Sequence, residues 1–141
     1  MIAFLDTSVL VATFLGDHQH HGASLALFVK AEKKSACCAA HTLAEVYSVL
    51  TRLPGKHRLS GEQAILFLEQ IQERCNVVAL SSEEYFSAIE RAAQAGITGG
   101  SLYDALLAHC ALKAKAETIY TWNVEDFQRL GPEVATRTRR P

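Results

Sequence analysis

The run Ile2-Ala3-Phe4-Leu5 stops at Asp6, with Thr7-Ser8 directly after it. A strand with one wet face alternates apolar and polar residues. An unbroken apolar run instead reads as a strand buried on both faces, the habit of parallel sheets covered by helices. The acid that ends such a strand lies at the rim of the sheet, where open α/β folds bind ligands. There a carboxylate is either a helix cap or a ligand for a hard metal ion.

The remainder of the chain alternates strand and helix signals. Strand one is Ile2–Leu5. Leu10 to Leu15 and roughly Gly22 to Ala31 read as helices on either side of Gly16-Asp17-His18, and Ser35–Ala40 as a short strand of small residues. Over Thr42–Leu53 the apolar positions Leu43, Val46, Tyr47, Leu50 and Leu53 form a helical stripe that Pro54-Gly55 stops. Ser60 with Gln63 has capping-box spacing and opens a helix carrying Ile65, Leu66, Leu68 and Ile71. Asn76–Leu80 reads as a strand and Ser82–Ala95 as a helix ended by Gly96. Gly99-Gly100 makes a turn before the helix Leu102–Lys115, which Ser101 starts; Thr118–Tyr120 is a strand, Asn123 opens a short last helix, and Val134–Arg137 is an edge-strand candidate. This alternation implies one three-layer α/β domain, with a central, mainly parallel sheet of four to five strands between helices. At 141 residues, 49% hydrophobic and 21% charged, the chain is long enough for a substantial core.

Net charge is −1, so no global positive field draws in nucleic acid. Any such contact has to come from local patches. The stretch with Arg52, Lys56, His57 and Arg58 is the best of these, with Arg52 on the same helix face as Glu45; the Arg137, Arg139, Arg140 tail (137–141) is expected to be flexible. The four cysteines include no CxxC pair, which argues for reduced thiols in a cytoplasmic protein over a zinc knuckle or a disulfide framework. No signal peptide or membrane span is expected, since the first apolar run is four residues long and lacks a basic leader.

Four acids stand in related settings. Asp6 follows strand one. Glu45 lies on the helix after strand two and shares its face with Thr42, Ser48, Val49 and Arg52. Asp104 and Asp126 lie in the first turns of late helices. In a parallel sheet the strand C-termini and the following helix N-termini share one edge, so all four can meet there. Converging carboxylates raise one another's pKa values and are stable together mainly around a cation. Oxygen ligands select Mg²⁺ or Mn²⁺, and the chemistry that follows is attack of water on a phosphodiester.

Each acid also has a plain structural explanation. Asp6 can cap the helix that starts near Ser8, Asp104 is three residues after Ser101, Asp126 is three after Asn123, and Glu45 can be a solvated helix residue. Only the joint pattern carries the metal reading. His18, His20 and His21 sit in a loop with no Cys and no i, i+4 pairing, which disfavours a zinc site. His41 and His109 are expected to be core or hydrogen-bonded residues. Trp122 either packs beside the final strand or stacks on a base, with packing preferred. A dehalogenase-like phosphatase wants a second acid where Ser8 stands, a receiver domain wants paired acids and a late Lys, and a serine hydrolase wants GxSxG; this chain has none of these.

The blocks Asp6-Thr7-Ser8, Ala44-Glu45-Val46, Gly99-Gly100-Ser101-Leu102-Tyr103-Asp104-Ala105-Leu106 and Thr121-Trp122-Asn123-Val124-Glu125-Asp126-Phe127 resemble the four signature blocks of PIN domains, above all the VapC-like toxins of toxin–antitoxin pairs. The resemblance runs through the whole chain in order. It implies a PIN-like fold over 1–141 and a metal-dependent endoribonuclease acting on tRNA, rRNA or mRNA. It further implies a homodimer held inactive by a VapB-like antitoxin. Carried over, Asp6, Glu45, Asp104 and Asp126 are the catalytic, Mg²⁺- or Mn²⁺-binding acids. Asn123 stands where relatives often carry Asp, so either Asn123 or Asp126 completes the site, with one ion or two. Thr7, Ser8 and Ser101 are candidate supporting hydroxyls, with ordinary capping as the alternative, and Arg52, Lys56 and Arg58 are candidate RNA contacts. A catalytically weak PIN scaffold that binds RNA or protein is the competing reading.

Overall fold

The computed structural model describes residues 1–141. Five short strands, β1 (Ala3–Leu5), β2 (Ala36–Ala39), β3 (Asn76–Val78), β4 (Thr118–Tyr120) and β5 (Thr138–Arg139), form one sheet in the order β3-β2-β1-β4-β5. Every pairing is parallel; Phe4 stands opposite Cys37 on one side and Ile119 on the other. The helices are α1 (Thr7–Phe14), α2 (His21–Val29), α3 (Ala40–Thr51), α4 (Gly61–Arg74), α5 (Ser82–Gln94), α6 (Ser101–Lys113), α7 (Val124–Gln128) and α8 (Pro132–Ala135).

Strand alternation sorts the core into two layers. Phe4, Cys37 and Ile119 pack with Leu107, Ala111, Phe127 and Val134, on the side of α6, α7 and α8. Leu5 and Cys38 pack with Leu10, Phe28, Val46, Leu50 and Ile71, on the side of α1 to α4. Adjacent Cys37 and Cys38 thus serve opposite cores, and both are buried free thiols. Residues of β2 are small and wholly buried, so helices can approach closely from both sides.

Local signals set the helix ends. The Ser60–Gln63 capping box forms in both directions, at 3.1 Å and 2.9 Å. Gly96, at φ +74°, closes α5: its N–H reaches the Ala93 carbonyl at 3.2 Å, and the Ile97 N–H reaches Ala92 at 2.9 Å. The turn into α6 needs the left-handed Gly99, at φ +62°.

One expectation needs correction. The edge strand lies at Thr138–Arg139, not Val134–Arg137: Pro132 starts α8, and Val134 is buried on that helix. Thr138 and Arg139 pair with Ile119 and Tyr120 of β4. No helix is long and apolar enough to cross a membrane.

Candidate active site

The strand order reverses between β1 and β4, and the crevice outside their C-terminal ends is where such a sheet accepts a ligand. A cavity of about 440 Å³ opens there. Asp6, Glu45, Asp104 and Asn123 line it, together with Thr7, Ser8, His18, His20 and Trp122. Three of the four predicted acids, one directly after β1, one on α3 and one on α6, therefore share one cleft.

Asp6 is only 2% exposed, so its environment is specified almost entirely by protein. It occupies the N-cap position of α1 but makes no side-chain bond of cap geometry. Its Oδ2 accepts hydrogen bonds from the hydroxyls of Ser8, at 2.8 Å, and Thr121, at 2.7 Å. Those hydroxyls are in turn fixed by backbone donors. Trp122 N–H donates to Ser8 Oγ at 3.0 Å, and Asn123 N–H donates to Thr121 Oγ1 at 2.9 Å. Burial pushes the Asp6 carboxyl above the usual range, while the Thr121 and Ser8 hydroxyls and the nearby Thr7 and Ser8 amides pull it back. This cage occupies Oδ2 and leaves Oδ1 outside it.

Glu45 projects from α3, half-buried. Thr7 donates to its Oε1 at 3.0 Å, and the Thr7 and Thr42 hydroxyls meet at 2.9 Å. The plain capping explanation for Asp104 fails, because the N-cap of α6 is Gly100 and no side-chain cap forms. Asp104 is half-buried, and its pKa is pushed up to about 6, first by desolvation and then by the negative charges of Asp6, Asp126 and Glu45. Asp104 therefore feels all three of the other acids.

Asp126 takes a different place. It lies on the outer side of α7, its side chain 54% exposed and 3.6 Å from Arg129, and it borders a smaller adjoining cleft instead of the main cavity. Asn123 borders both clefts. Of the two alternatives in this block, the structure brings Asn123 to the shared cavity and leaves Asp126 at its flank. Ser101 is exposed, and Arg52, Lys56 and Arg58 are exposed beyond the cavity, Arg58 donating to the Leu53 carbonyl at 3.0 Å.

Thr121 and Thr42 were not singled out as supporting residues. Thr121 comes directly after β4 as Asp6 comes directly after β1, and that position is the available signal. His18 and His20 also line the cavity, whereas His21 is used locally, with its Nδ1 3.0 Å from the Ala12 carbonyl oxygen.

The donor set suits a hard divalent ion, being carboxylate and amide oxygens with one Asp6 oxygen free of the cage. No three His, Cys, Asp or Glu side chains already close around one point.

Comparison with known proteins agrees with this architecture. The PIN domain matches residues 3–131. Ribonuclease VapC40 of Mycobacterium tuberculosis is 38% identical over 132 residues, covering 92% of this chain and 94% of that protein. Ribonuclease VapC27 of the same organism is 40% identical over 114 residues, covering 80% and 79%. The structure of VapBC2 from Rickettsia felis, bound to a DNA fragment from their promoter, superposes with a TM-score of 0.67 at 21% identity, covering 100% of this chain and 99% of that one; at that identity the likeness speaks to fold alone. A parallel sheet in the order β3-β2-β1-β4-β5, acids gathered at its switch point and relatives of nearly full length agree: the chain belongs to the PIN-domain family, in its VapC branch.

Proposed function

We propose that this chain is a metal-dependent endoribonuclease that hydrolyses RNA phosphodiester bonds, the toxin of a VapBC-type pair. The observation that carries the reading is the single cleft holding Asp6, Glu45 and Asp104, with Asp104 raised first by burial and then by the charge of its neighbours. Unneutralised acids in one polar cleft are a cost without a cation, and family membership supplies the reaction class. Its relatives VapC40 and VapC27 carry the name ribonuclease.

Asp6, Asp104 and Glu45 would hold the ion, with the Asn123 amide completing the set. When bound, Mg²⁺ or Mn²⁺ would offset phosphate charge and favour hydroxide over water at the site. Ser8 and Thr121 hold Asp6 in one orientation and favour its ionised form. Thr7 fixes one oxygen of Glu45, so that acid does not have to reorganise when substrate arrives. Positive charge in the cleft would favour the ionised form of Asp104. Asp126 acts at longer range, through its field. A VapB-like antitoxin in the same cleft, a homodimeric state and a cytoplasmic setting complete the proposal.

Total RNA incubated with purified protein and Mg²⁺ or Mn²⁺ tests it. Defined fragments should appear, vanish with EDTA, and be absent for Asp6→Asn. Intact RNA at every metal and concentration tried would end the enzymatic reading.

A further inference from the structure

One wall of the cleft is aromatic, and the acids do not explain it. The rings of His20 and Trp122 stack in parallel, centroids 3.7 Å apart and planes 5° from coplanar, across about a hundred residues of sequence. Both line the acid cavity. The pair is held rigidly. Trp122 Nε1 donates to the buried Ser24 hydroxyl at 2.8 Å, its backbone N–H donates to Ser8 at 3.0 Å, and the His20 backbone N–H donates to His18 Nδ1 at 3.0 Å. Trp122 also lines the adjoining cleft of about 240 Å³, which it shares with Asn123, Asp126 and Arg140.

A planar π surface fixed at the edge of a phosphodiester-cleaving site is what a splayed, single-stranded base requires. Packing alone would bury such a pair, yet both residues are only partly buried and both line the cavity. The geometry points to His20 and Trp122 as a stacking platform for one nucleobase flanking the scissile phosphate, setting which single-stranded RNA this chain accepts. The strand then continues over Trp122 toward Arg140. This inference rests on the ribonuclease reading and adds a specificity element that the acids do not provide.

Trp122 is the chain's single tryptophan, so its emission reports directly on the platform. The probe is a single-stranded oligoribonucleotide of about ten nucleotides, copied from a site cut in total RNA, with Ca²⁺ replacing Mg²⁺ during binding. Saturable quenching of the tryptophan is expected, and it should disappear when one particular base beside the cut is made abasic. His20→Ala removes the ring but leaves the His20 backbone bond in place. It should raise Kd and KM roughly 5- to 150-fold, the range seen for one lost stacking partner, with little change in kcat. His20→Phe should restore tight binding.

Bound oligonucleotide with unchanged emission would overturn the platform, as would equal affinities for intact and every abasic RNA. A kcat loss shared by His20→Ala and His20→Phe would also overturn it and would assign His20 to proton transfer. In all of these cases cleavage by the wild type keeps the ribonuclease reading intact. Absence of both binding and cleavage would remove both.

Discussion

Replacing Asp104 by Asn should make the metal-free protein more stable while ending its activity. The carboxyl is raised from 3.8 to about 6 by burial and by three neighbouring acids. A rise of that size corresponds to about 3 kcal/mol once the group is ionised in both folded and unfolded chains. Asp104 is only half-buried, and solvent screening reduces this to about 1–2 kcal/mol. The sign follows from proton binding. Below 3.8 the carboxyl is protonated in both states, and nothing is lost. Between 3.8 and about 6 the folded state keeps a proton that the unfolded state has released, so stability falls as pH rises through that window. Asn carries no such penalty.

Thermal melts in EDTA, from about pH 4 to about pH 7.5, should therefore show wild type and Asp104→Asn close together at the acid end. At the neutral end the variant should melt about 3–6 °C higher. Saturating Mg²⁺ should reverse the order, since a ligand at a hundred times its Kd adds about 2.7 kcal/mol to the protein that binds it. A variant that melts at or below the wild type at neutral pH without metal would refute the reasoning, and so would a gap independent of pH.

Other perturbations separate the remaining roles. Asn123→Ala should weaken Mn²⁺ binding by calorimetry at least tenfold, an estimate scaled from the loss of a ligand or its support, whereas Asp126→Asn should change it about threefold or less, as expected for a screened charge at the flank. Thr121→Val removes a donor to Asp6 and strands the Asn123 N–H, so it should cost about 1–3 kcal/mol in urea unfolding and slow cleavage as well; an unchanged unfolding midpoint would contradict the cage around Asp6. Mn²⁺ affinity of the wild type should rise between about pH 5 and about pH 7 as Asp104 loses its proton, and the Asp104→Asn variant should show a flatter profile. Leu50→Ala, in the core beneath α3, should cost about 2–5 kcal/mol without altering metal stoichiometry.

Much of this fold is written locally. The apolar run before Asp6, the Ser60–Gln63 box and the Gly96 stop each fix an element by short-range chemistry, and each forms where those residues stand. The edge strand was misplaced because a two-residue strand paired on one side carries almost no periodic signal, while Val134 satisfies a buried position from a helix equally well. Asp6, Glu45 and Asp104 were legible because the parallel topology forces strand ends to one rim. Asn123 and Asp126 lie within one helical turn, and only the orientation of α7 against β4 separates the cavity-lining side chain from the flanking one. Arg52 caps the C-terminal end of α3, the helix that carries Glu45, but it is exposed and lies beyond Val49, the last residue of that helix to line the cleft. The His20–Trp122 stack depends on a loop folding across the mouth of the sheet, a contact with no local sequence signature.

Anomalous diffraction from crystals grown with Mn²⁺ asks most plainly whether these distant segments share one ion. A peak bonded to oxygens from at least two of Asp6, Glu45 and Asp104, at roughly 2.0–2.3 Å, is the expected picture. Crystals of an RNA-cleaving preparation with no manganese in that crevice, or with the ion held by residues elsewhere, would contradict it.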